Sequence, residues 1–145
     1  MKASLFLSSL ALALLPTQTF AVTLAYDTVY DNAAGSLSTV ACSDGANGLL
    51  TRGFTTFGSL PSFPNIGAAE AITGWNSTAC GSCWEVTFTN SSGIAKSLNI
   101  TAIDVATPGF VLAQAAMDEL TNNNAVAFGR VDVTSRQVNA SACGL

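Results

Sequence analysis

The chain reads as a small barrel of short β-strands, decorated with loops and carrying one amphipathic helix. Three observations support this: short apolar–polar alternations, frequent Gly and Pro turn signals, and a single stretch of clear helical periodicity. A length of 145 residues suits one domain. Beyond its N-terminal segment the composition is even, without linker, repeat or charge block.

The N-terminal segment stands apart from that domain. Lys2 precedes an apolar run over residues 5–15, broken only by Ser8 and Ser9 and ended by Pro16. Thr19 and Ala21 place small residues at the −3 and −1 positions of a cleavage point. This is the three-part pattern of a secretory signal peptide. The run is shorter than the about 20 apolar residues that cross a bilayer. Residues 1–21 are therefore expected to be a signal peptide, and residues 22–145 a secreted, extracellular domain without a membrane span.

Within that domain, residues 22–26 and 49–51 are short strand candidates, the second preceded by Asp44-Gly45 and Asn47-Gly48 as turn signals. Residues 53–74 hold six glycines and prolines and read as a long irregular loop, of a length that is often functional. Trp84, Val86 and Phe88 then alternate with Glu85, Thr87 and Thr89, which predicts a half-buried strand with Trp84 in the core. A turn over residues 90–93 leads to a strand over residues 98–104. Its parity puts Leu98, Ile100, Ala102 and Asp104 on one face and Asn99 and Thr101 on the other. A lone buried carboxylate is costly, so Asp104 is expected at the strand end, on the lip of a groove, carrying little of the core. After Pro108-Gly109, Leu112, Ala113, Ala116, Met117 and Leu120 form the apolar stripe of a helix over residues 110–120. Residues 130–138 read as the last strand, with Arg130 and Asp132 expected to be structural, paired with each other or with a loop carboxylate.

Charge and composition exclude several functions. The net charge is −4, and −5 without Lys2, with no basic cluster, so nucleic acid is not expected as a partner. The chain has no histidine, which removes the commonest general base, metal ligand and nucleophile partner. Catalysis would have to rest on carboxylates, and no metal or cofactor is expected. The polar, mostly neutral composition suits neutral polymers such as polysaccharides.

Cys42, Cys80, Cys83 and Cys143 are an even set behind a leader, which predicts two disulfides. Four cysteines allow three pairings, and their spacing does not choose among them. A redox reading of Cys80-Gly81-Ser82-Cys83 lacks the βαβ context, and a zinc site would consume all four. Asn76, Asn90, Asn99 and Asn139 each begin an N-glycosylation sequon.

The sequence resembles the cerato-platanin family over essentially the whole of residues 22–145. The matching pieces include Tyr26-Asp27-Thr28-Val29-Tyr30-Asp31, Cys42-Ser43-Asp44-Gly45-Ala46-Asn47-Gly48-Leu49 and Pro61-Ser62-Phe63-Pro64-Asn65-Ile66-Gly67. Gly74-Trp75-Asn76, Cys80-Gly81-Ser82-Cys83-Trp84, Ile103-Asp104, Gly109-Phe110 and Gly129-Arg130-Val131-Asp132 follow in order. The resemblance implies a mainly β fold with one or two short helices, a six-stranded double-psi β-barrel, and the pairing Cys42–Cys80 with Cys83–Cys143. It also implies a secreted fungal protein that binds chitin- or cellulose-type oligosaccharides in fungal or plant cell walls. Such proteins loosen cellulose without hydrolysis and elicit host defence, which would add a host receptor as a partner. Asp104 matches an aspartate at the strand end of the expansin-like groove. Val105 and Val111 depart from the family pattern, in which polar residues often stand at these positions.

The carbohydrate-binding candidates are Asp104, Tyr26, Tyr30 and Asn47. Asp104 can accept hydrogen bonds from sugar hydroxyls, or cap the turn before Pro108-Gly109. Tyr26 and Tyr30 can stack on sugar rings or pack ordinarily. Asn47 can bond a ligand or serve an Asn-Gly turn that requires positive φ. Hydrolysis of glycosides uses two carboxylates about one bond, and no second acid forms a recognisable partner motif with Asp104. No catalytic residue is therefore assigned. A weak endoglucanase-like hydrolase and a surface-active, self-assembling structural protein are the alternatives.

Overall fold

The computed structural model of the chain describes residues 18–145, so the apolar run of the expected leader lies outside the described residues. Six strands close into a barrel: β1 (Phe20–Tyr26), β2 (Ile66–Ala69), β3 (Cys83–Thr89), β4 (Ala95–Val105), β5 (Phe110–Leu112) and β6 (Arg130–Val138). They run in the order β1-β5-β2-β4-β3-β6. β1 with β5 and β2 with β4 are parallel, and the other seams are antiparallel. Two helices, α1 (Gln114–Thr121) and α2 (Ala125–Phe128), join β5 to β6. Among the described residues no helix is long and apolar enough to cross a membrane.

The alternation that predicted β3 is used as expected in its register: Val86 is fully buried, and Glu85 faces Arg136 across the β3–β6 seam. There the two side chains form a two-pronged ion pair at 2.8 and 3.1 Å. Trp84 is half-buried rather than enclosed, edge-on to Phe110 with centroids 6.0 Å apart. Arg130 donates to Thr23 Oγ1 at 3.0 Å and not to Asp132, since the two lie on one strand two residues apart and β1 runs alongside. Buried Leu24, Val86, Ile100 and Leu112 from the strands join Leu37, Leu49 and Phe57 from the connections in one apolar cluster.

Several expectations about local structure are corrected. Residues 49–51 form a turn, with Leu49 buried by packing rather than by strand pairing. The loop expected over residues 53–74 contains β2, whose four residues are all buried. The expected helix begins later, at Gln114, because residues 110–112 are committed to β5 between β1 and β2. Parity on β4 also changes: Gly67 pairs with Ala102 but Ala68 with Asp104, so Ile103 is an inserted bulge residue. Thr101, expected outside, is buried, and its hydroxyl meets that of Ser62 at 2.6 Å because the connection over residues 60–65 covers it.

The N-cap of α1 is Ala113, whose methyl cannot accept from the orphan amides. Asp31 supplies the missing acceptor from far away in sequence, taking Gln114 N and Ala115 N at 2.8 and 2.9 Å. A carboxylate there also meets the positive end of the helix dipole. Asn122, at φ +57°, ends the helix in the left-handed region.

The cysteines pair as Cys42–Cys80 and Cys83–Cys143, across 38 and 60 positions. The sulfurs of Cys80-x-x-Cys83 thus go to different partners, which rules out both a redox dithiol and a thiolate metal site there. Each bridge closes a loop long enough to stabilise by about 4 kcal/mol in the chain-entropy picture. Replacing Cys42 and Cys80 together by Ala should therefore lower the unfolding free energy by about that amount in guanidinium titrations. A loss below about 1 kcal/mol would show that the bridge constrains little.

Candidate functional site

Asp104 sits at the end of β4, just past the bulge, with its side chain half-buried. Its Oδ1 accepts from Ala41 N at 3.0 Å and from its neighbour Val105 N at 2.9 Å. Its Oδ2 accepts from the Tyr30 hydroxyl at 3.0 Å. The carboxylate therefore ties two parts of the long β1–β2 connection to the barrel wall. The expectation that it carries little of the structure needs correcting, because three donors converge on it. Its neighbour Val105 is 40% exposed and leaves an apolar shoulder beside the carboxylate. Val111, the other departure from the family pattern, lies in the barrel wall between Ala25 and Ala68.

Tyr30 is only 6% exposed and tilts against Phe57, with centroids 6.0 Å apart. Its ring face is enclosed, so what it brings to the site is its hydroxyl. Burial, then the field of Asp104 and the hydrogen bond to it, and finally Asp27 push that hydroxyl well above its ordinary value near 10. Tyr30 belongs to the short 3₁₀ turn Thr28–Asp31, whose first amides are held by Asp27: its Oδ1 accepts from Val29 N at 2.9 Å. Three acids thus fix one turn, Asp27 from its start, Asp104 through the phenol and Asp31 through the amides of α1.

The other two candidates are placed differently. Tyr26, at the end of β1, is half-buried against the core. Asn47 turns to the segment 74–77: its backbone N donates to Asn76 Oδ1 at 2.9 Å and its Nδ2 to Asn76 O at 3.0 Å. Arg52 reaches Cys80 O at 3.0 Å and braces the same corner. Asn76, not Asn47, has the positive φ, at +58°. Gly48 is required by close approach instead, since a Cβ there would lie 2.2 Å from Asp44 O.

Trp75 has no role among the sequence-based expectations beyond its place in Gly74-Trp75-Asn76. Its side chain is 63% exposed, with its indole Nε1–H donating to Asp44 Oδ1 at 2.6 Å. That bond fixes an aromatic face at the surface, and a side chain at Gly45 would crowd the ring. The chain links it to Asp104, because Asp44 follows Ala41 by three residues and Cys42 N donates to Ile103 O at 3.1 Å. Of the sequon asparagines, Asn90, Asn99 and Asn139 are exposed, and Asn76 is half-buried.

The raised Tyr30 hydroxyl has a stability consequence with a definite sign. A group whose folded value is raised contributes its full stabilisation below the unfolded value, here near 10, and loses it as pH climbs toward the folded value. Stability should therefore fall as pH rises beyond 10, and ionisation of Tyr30, followed by tyrosinate absorbance, should coincide with alkaline unfolding. In Tyr30→Phe that late step should vanish. Ionisation of Tyr30 near 10 with the fold intact would contradict the burial and the bond.

Comparison with known proteins places this architecture. The cerato-platanin family model matches residues 22–145. A protein of Arthroderma benhamiae described as an allergen Asp f 15 homologue is 54% identical over 85% of this chain, which spans only 58% of that relative's length. The crystal structure of cerato-platanin 2 from M. perniciosa superposes with a TM-score of 0.83 at 60% identity, covering 87% of this chain and all of that one. The solution structure of cerato-platanin, described as a fungal elicitor, gives a TM-score of 0.72 at 40% identity over 84% of this chain and 96% of its own. With the barrel, the two disulfides and the match over nearly all of the described residues, this chain belongs to the cerato-platanin family.

Proposed function

We propose that this chain is a secreted, non-hydrolytic binder of chitin- or cellulose-type oligosaccharides, acting on the fungal or plant cell wall by expansin-like loosening. The observation that carries the reading is the acceptor capacity of Asp104. An ionised carboxylate offers about four acceptor positions. Three are taken by Ala41 N, Val105 N and Tyr30, which leaves one on Oδ2 of a half-exposed residue. A sugar hydroxyl is a donor suited to it, and the low charge of the chain suits a neutral ligand. The fixed indole of Trp75 offers the rigid amphipathic face on which a pyranose ring stacks. Secretion with cleavage after Ala21 is supported by the leader pattern and would remove only the first two residues of β1, Phe20 and Ala21.

An elicitor role toward a host, with a host receptor as partner, is the second part of the proposal and rests on likeness to the protein described as a fungal elicitor. The binding role is expected to need neither metal nor cofactor.

Titration calorimetry with chitin and cellulose oligomers tests the binding reading. Asp104→Asn keeps an acceptor for the backbone amides and a partner for Tyr30, so the fold should survive. It loses the charge-assisted acceptor, a bond worth about 1.5–3 kcal/mol, and affinity should drop roughly ten- to a hundredfold. Asp104→Ala should also destabilise the fold by about 1–3 kcal/mol, because it strands the buried Tyr30 hydroxyl. Unchanged affinity in Asp104→Asn would remove Asp104 from the site. Release of reducing ends from cellulose would replace the binding reading with the hydrolase.

A further inference from the structure

We propose that Asn90 carries an N-linked glycan whose first sugar stacks on Phe88 and covers the apolar patch that Phe88 shares with Phe128. This inference rests on the reading that the chain enters the secretory route. The hairpin between β3 and β4 turns over residues 90–93, closed by Asn90 N to Ile94 O at 3.0 Å and Gly93 N to Asn90 O at 2.9 Å. Gly93, at φ +78°, allows the turn, and a Cβ there would meet nothing within 4 Å, so the tip of the turn is uncrowded. Asn90 Oδ1 accepts from Ser92 N at 3.0 Å and from Ile94 N at 2.9 Å. Those bonds hold the sequon in an Asx turn, with Ser92 folded back onto the asparagine. Among the described residues Asn90 Nδ2, the atom that would carry the sugar, donates to nothing.

The transfer itself is ordinary substitution. Nδ2 attacks the anomeric carbon of an oligosaccharide carried on a lipid diphosphate. The C–N bond forms, the bond from carbon to phosphate oxygen breaks, the amide gives up one proton and the lipid diphosphate leaves.

Among the four sequons, this asparagine has a distinctive neighbour. Period two puts Phe88 on the same face as Asn90, and the two line a common groove of about 670 Å³ with Phe128, Arg130 and Val131. The rings of Phe88 and Phe128 tilt against each other at 6.2 Å. Phe128 is 48% exposed, with Ile94 and Val126 exposed beyond it. The apolar face of a hexosamine fits such a surface. The position two before Asn76 is Gly74, before Asn99 Ser97, and before Asn139 Gln137, so none of these has an aromatic ring at the spacing that Phe88 has to Asn90, although Trp75 adjoins Asn76 and Phe63 lines a groove with Asn99. Asn76 also has its Oδ1 engaged by Asn47 N. Asn139 has the same turn, with Ser141 N at 3.0 Å, but lacks the ring.

The test expresses the full chain in a yeast secretory host and maps glycosylated asparagines by enzymatic release in heavy-oxygen water. Label at Asn90 in secreted protein is the expected result. Secreted protein with Asn90 unlabelled overturns the site and leaves the secretion reading standing. Protein retained in the cell with residues 1–21 still attached overturns both. Stacking is read separately, after trimming to one N-acetylglucosamine, from ring-current upfield shifts of its protons in NMR spectra. Unshifted sugar protons would overturn the contact. A cycle of Phe88→Ala and Ser92→Ala should show the sugar raising Tm by roughly 3–6 °C only where Phe88 is present. An equal rise in the Phe88→Ala background would overturn it too.

Discussion

The contact of Asp104 with Tyr30 and Ala41 is the constraint on which the site side of the molecule depends. The chain leaves the barrel after β1 and returns only at β2, with three 3₁₀ turns and no strand between. Such a connection is held by packing and by side-chain bonds, since it has few ladder bonds of its own. Tyr30, Leu37, Leu49 and Phe57 supply the packing, and the Tyr30 hydroxyl goes under with its ring. A buried hydroxyl without a partner is costly. Asp104 accepts it, 74 positions away, and takes the amide of Ala41 with its other oxygen. The bulge at Ile103 delivers the carboxylate to that point, since it shifts the pairing register between Ala102 and Asp104.

The disulfide Cys42–Cys80 works alongside this contact. Cys42 directly follows Ala41, so covalent and hydrogen-bonded attachment act on adjacent residues of the same connection. Asp31 extends the scheme to α1 and Asp27 holds the turn from its start. An acidic chain thus places three of its nine acids around one short turn. The surplus of negative charge is tolerated because each acid there faces N–H or O–H donors.

Much of the barrel was legible in the sequence, and the failures have physical causes. β3, β4 and β6 have a polar and an apolar side, so alternation revealed them. β2 and β5 are three or four residues long and buried or nearly so, and they pair mainly with strands distant in sequence. A run such as Ile66-Gly67-Ala68-Ala69 has no alternation to read, and the apolar residues of β5 merge with the stripe of α1. Thr101 was misplaced because parity says which side a residue faces, not whether a loop covers that side. At the site, parity singled out Asp104, but no local pattern could show that Tyr30 would reach it with its hydroxyl. Trp75 was given no role because no local pattern shows the hydrogen bond that makes its exposed position rigid, which comes from Asp44, 31 positions away.

Asp104 uses three acceptor positions to hold the connection and, as proposed above, offers the fourth to a sugar. The most direct measurement is a residue-resolved NMR titration of the wild-type protein with a chitin tetramer, following the Asp104 carboxyl carbon and the amides of Ala41 and Val105. Saturable shifts of these three signals at one common affinity are expected, with the indole N–H of Trp75 moving alongside. Saturable binding that leaves all three unmoved while shifting another face of the barrel would contradict it.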